Sequence, residues 1–98
     1  MKNIVIVATV KAKDGFKDEV YSELSKLHES THKHDEGCIQ YDLHKDLSDE
    51  NSFTFIETWE SAEFLAVHEK KEHFLTFVSK IENKIDGLII NKLEKLDI

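Results

Sequence analysis

Ninety-eight residues with 20 acidic and 13 basic side chains, net charge −7, leave room for one domain and a modest core. The scattered lysines form no basic stripe, which argues against a nucleic-acid backbone as partner, and no apolar run nears the roughly 20 residues of a membrane span. A single cysteine, Cys38, permits no internal disulfide, and three glycines, no proline, no CxxC and no HExxH leave the common cofactor fingerprints absent. The expectation is one cytoplasmic domain over 1–98 with a cofactor-free or small-ligand site.

In chain order, Ile4 to Ala12 alternates but is apolar on both faces, with Ile4, Ile6, Ala8, Val10 and Ala12 on one and Val5, Val7 and Thr9 on the other. Asp14-Gly15 turns the chain into an amphipathic helix along Phe16, Val20, Leu24, Leu27 and Thr31, ending near Gly37. Period two returns from Cys38 to Asp46, where Ile39, Tyr41 and Leu43 oppose Gln40, Asp42 and His44. The polar cluster at 47–52 joins this strand to Phe53–Trp59 as an antiparallel hairpin.

On that third strand Phe53, Phe55, Glu57 and Trp59 share a face. An ionised carboxylate among aromatics must be paired, hydrogen-bonded, raised in pKa or open to a pocket. Ser61 is a good N-cap for the next helix, whose apolar faces before and after 69–72 are out of phase; a break there makes it two pieces joined near His68 and His73. Gly87 is expected to end the helix and Leu88–Leu96 to form the last strand. The order is βαββαβ, an α+β ferredoxin-like fold with an antiparallel four-stranded sheet and its helices on one face. The doubly apolar first strand and the aromatics of the third call for a cover on the other face, expected from a second copy packed sheet to sheet.

The ordered set Glu36-Gly37-Cys38, Tyr41, Phe55-Ile56-Glu57-Thr58-Trp59, His68 and His73-Phe74 resembles the antibiotic biosynthesis monooxygenase family, especially its small quinol-monooxygenase-like members, over nearly the whole chain. The resemblance implies a dimeric α/β barrel whose pocket is marked by Glu57, Trp59, His68 and His73. It also implies oxidation of a small phenolic ring by molecular oxygen with neither metal nor flavin: the protein deprotonates the phenol, holds its anion and excludes water. His73 and His68 are then the acid/base candidates, Glu57 their orienter, and Trp59, Tyr41 and Phe55 the substrate-binding residues. The haem-degrading branch shares Trp59 but places an asparagine within the first strand, where this chain has valine and threonine.

Each assignment has a plainer alternative. His68 and His73, five residues apart, lie about 140° from each other on an unbroken helix and meet only through a break. Glu57 could pair structurally, Trp59 and Tyr41 could simply pack, and Cys38 reads as a small buried hydrophobe. His28 and His32, four apart, form a polar helix end, and a metal there would need a third ligand whose approach the sequence does not reveal. No metal is expected. Two other functions use the same pocket: an isomerase like the autoinducer-degrading members of the superfamily, moving a proton beside a carbonyl, and a dimeric ligand-binding protein without turnover.

Overall fold

The computed structural model describes residues 3–98, so Met1 and Lys2 of the expected 1–98 domain lie outside the described residues. The elements are β1 (Ile4–Ala12), α1 (Lys17–His34), β2 (Cys38–Lys45), β3 (Ser52–Trp59), α2 (Ala62–His68), α3 (Glu72–Ile81) and β4 (Ile85–Glu94). All pairings are antiparallel and the strand order is β2-β3-β1-β4, the ferredoxin-like arrangement as an open sheet.

Register decides which side chains meet. Ile6 pairs with Glu57, Ala8 with Phe55 and Val10 with Phe53, so the alternating faces of β1 and β3 present one continuous inner row. That row is buried against Val20, Leu24 and Leu27 of α1 and Phe77 and Ile81 of α3. Phe53, Phe55 and Trp59 are therefore covered by helices of their own chain, which corrects the expectation that they help demand a second subunit. The outer face instead carries Val5, Val7 and Ile56, with Ile89 and Leu93 of β4 in register beside β1.

Two local features depart from the expected pattern. A bulge between Cys38 and Gln40 makes Ile39 the extra residue of β2, so Ile39 is 58% exposed while Cys38 takes the inner position opposite Trp59. The third helical segment ends at Ile81, and neither Ile85 nor Gly87 is helical: β4 starts at Ile85, opposite Ala12, with Gly87 opposite Lys11. The apolar residues after Gly87 favour extension, and pairing with β1 draws the strand start back toward the helix end. The break at residues 69–71 is present, and Ser61 caps α2 by accepting from the Phe64 amide at 3.4 Å.

Candidate active site

The site forms where β3, the α1–β2 turn and the α2–α3 break converge. His68 closes α2 and is 2% exposed. Its Nδ1 meets Asp35 Oδ2 in a short contact, and His73 Nε2, from the first turn of α3, lies 2.9 Å from Asp35 Oδ1. The break thus brings together two histidines that a continuous helix would hold apart, and both face one carboxylate whose side chain is 2% exposed. The His73 contact has ion-pair distance without hydrogen-bond alignment.

Asp35 is the residue that the pattern of the sequence hides. It follows α1 directly, its amide donates to the Thr31 carbonyl as the helix C-cap, and its partner His68 is 33 residues away. Gly37, at φ +75°, turns the chain immediately afterwards, and a Cβ there would lie 2.2 Å from Phe64 Cγ. Only glycine lets α2 pack this close to the turn that carries Asp35. The adjoining His34-Asp35-Glu36-Gly37 run was the available signal, but a polar helix end is so common that it singles out no residue.

Glu57 has a different partner from the one expected. Its Oε1 accepts from Trp59 Nε1 at 2.9 Å, while Asp35 takes the place beside the imidazoles. Burial pushes the Glu57 carboxyl up to about 7, with the indole hydrogen bond opposing and the nearby Glu69 charge adding to the rise. Desolvation also lowers His68 from its usual value, against the pull of Asp35. Both directions favour neutral groups at neutral pH. With Nδ1–H donating to Asp35, His68 keeps Nε2 as an acceptor, and that atom is buried without a partner.

A cavity of about 260 Å³ lies between the inner face of the sheet and α2 and α3. Its walls include Ile6, Ala8, Phe55, Leu65, Phe77 and Ile81, and its polar groups include Tyr41, Glu57 and His68, with Glu69, Glu82 and Lys92 also lining it. Among the expected site residues, Tyr41, Phe55, Glu57 and His68 reach this cavity. His73 lines a separate groove between α1 and α3. Trp59, fully buried, stands behind the wall, its ring centroid 4.6 Å from that of His68, and so fixes Glu57 and His68 from outside the cavity. Burial raises both the Tyr41 phenol and the Cys38 thiol, the latter to about 11, leaving neither activated as a nucleophile at neutral pH.

A largely apolar cavity lined by an imidazole and an elevated carboxyl has the groups to take a proton from a ligand and to offer a hydrogen bond to a ligand oxygen. Known proteins resemble the chain over most of its length. A Bacillus subtilis protein named "Putative monooxygenase YcnE" is 34% identical over 77 residues, covering 79% of this chain and 80% of its own. The crystal structure of PA3566 from Pseudomonas aeruginosa superposes with a TM-score of 0.92 at 32% identity, covering 99% of this chain and 97% of that one. A conserved protein of unknown function from Bacteroides thetaiotaomicron gives 0.88 at 29% identity, with 96% and 98% covered. The family model described as antibiotic biosynthesis monooxygenase matches residues 3–80, and the chain belongs to that family.

Proposed function

We propose that this protein is a cofactor-independent monooxygenase that oxidises a small quinol or phenolic ring in the cavity between sheet and helices. The observation that carries the reading is His68: it is anchored through Nδ1 to buried Asp35, lines an apolar cavity, and has a buried Nε2 with no partner. Nε2 takes the phenolic proton, and the electron-rich anion then reduces oxygen within the cavity. Glu57, protonated near neutrality, donates to a substrate oxygen, and Tyr41 and Phe55 bound the ring. The net reaction balances as hydroquinone plus O2 giving hydroxyquinone plus water. At about 260 Å³ the cavity falls slightly below the ~300–1,000 Å³ usual for small-molecule sites, which favours a compact ring.

His73 and Asp35 serve as positioning residues in this scheme. The protein works as a homodimer joined through the outer sheet face, where Val5, Val7, Ile56, Ile89 and Leu93 form an apolar surface. The unpaired Cys38 suits the reducing cytoplasm.

Glu57 also supports a second reading, because a carboxyl near 7 facing the same cavity as an imidazole could take a proton from a carbonyl compound and return it, as an isomerase does. Isotope labelling separates the two. Incubation of metal-stripped protein with a hydroquinone panel under 18O2, with catalase present, is expected to place one labelled oxygen in the product. Unlabelled quinone would show oxidation without oxygen insertion and contradict the monooxygenase, whereas turnover of carbonyl substrates under argon would establish proton transfer.

A further inference from the structure

A second cluster of ligating side chains lies outside the cavity. His28 and His32 occupy successive turns of α1, with ring centroids 4.3 Å apart, and Asp42 of β2 joins them, so that one donor atom from each lies within 4.8 Å of the others. The sequence provides the i,i+4 histidine pair; the fold provides the carboxylate. Because β2 is an edge strand, a side chain from its outer row can meet a helix packed on the inner face.

From this arrangement we propose that His28, His32 and Asp42 form a binding site for one divalent transition-metal ion of the Zn2+ type, linking α1 to β2. Two imidazoles and one carboxylate are an ordinary donor set for such an ion, with water completing the coordination at this partly exposed position.

The surroundings are those of a held ligand set. His32 Nε2 lies 2.8 Å from the Tyr41 carbonyl, so it donates there and leaves Nδ1 as the lone-pair donor. Gln40 Nε2 donates to Asp42 Oδ2 at 3.0 Å, fixing that carboxylate while Oδ1 stays available. A backbone carbonyl on the second imidazole nitrogen and an amide on the carboxylate are the outer contacts that orient metal ligands. The Asp35, His68 and His73 cluster could also gather three donors around an ion, and the experiment has to distinguish the two.

Tag-free, chelator-treated protein titrated with Zn2+ in a calorimeter is expected to bind one ion per chain. Single His28→Ala and Asp42→Asn substitutions should each weaken binding by about 10- to 100-fold or more, as loss of a ligand or its support does elsewhere. His68→Asn and His73→Asn should leave it unchanged. Co2+ in place of Zn2+ should give ligand-field absorption that disappears in His28→Ala. His28 and Asp42 are half-buried and exposed whereas His68 is buried, so circular dichroism should verify that each variant is folded. No heat or Co2+ absorption at high micromolar metal would overturn the proposal, and so would binding that survives loss of His28 and Asp42 or vanishes with His68 and His73.

Discussion

At the residue scale, the proposed chemistry turns on how burial sets the charge of His68 and Glu57. His68 titrates below 6.5 and Glu57 near 7, so a base that must be neutral and an acid that must keep its proton give a bell-shaped kcat/KM profile. Its acid limb lies below 6.5 and its alkaline limb near 7, and Glu57→Gln should abolish the alkaline limb. Stability gives an independent check. The Glu57 pKa is raised in the folded state from 4.5, so its contribution is fully present below 4.5 and lost as pH rises through about 7. His68 runs the other way, its contribution being lost as pH falls below 6.5. Thermal melts of Glu57→Gln and wild type should therefore diverge in favour of the variant between pH 4.5 and 7.5, by on the order of 3 kcal/mol at most. Parallel curves would mean that Glu57 is solvated. The alternation of β3 already showed in sequence that this carboxylate sits among aromatics. That Trp59 is its partner depended on two side chains of one strand meeting, which alternation permits but does not require.

At the scale of elements, the α1–β2 turn and the α2–α3 break build the site together. The break was legible because the apolar faces of the two helical pieces are out of phase, and it explains how His68 and His73 reach one carboxylate. The carboxylate itself was not legible, because Asp35 joins the site through a contact across 33 residues and no local periodicity encodes it. The bulge at Ile39 was hidden for a similar reason: it appears only when β2 is paired with β3. Gly37 connects these elements. Gly37→Ala forces a left-handed φ on a residue with a side chain and drives its Cβ into Phe64, and should cost about 1–3 kcal/mol or more. Chemical denaturation checks the magnitude. Phe64→Ala should fail to rescue it, because the Phe64 Cβ alone would lie 2.6 Å away.

At the scale of the molecule, the inner rows of β1 and β3 are covered within one chain, whereas the outer face and most of β4 are not. Ile89 is 63% exposed and Leu93 50% in a single subunit, beside Val5 and Val7. Sedimentation at micromolar concentration should show a dimer, and Ile89→Lys should shift it toward monomer while leaving the fold intact, since an isolated subunit leaves that position open to water. A wild-type monomer would contradict the homodimer. The sequence revealed that β1 is apolar on both faces. It could not reveal which face of β3 the helices cover, because that depends on where the chain returns across the sheet.

Catalysis by this route depends on His68 acting in the cavity, and the most direct measurement compares initial rates of oxygen uptake with one accepted hydroquinone for wild type, His68→Asn, Asp35→Asn and His73→Asn, metal-stripped and with catalase present. Loss of a general base typically lowers the rate about 10²- to 10⁴-fold, and His68→Asn should fall in that range. Asp35→Asn should approach it, and His73→Asn should retain more activity than either. Full activity in His68→Asn, or a greater loss in His73→Asn, would contradict the assignment of the base and the cavity that depends on it.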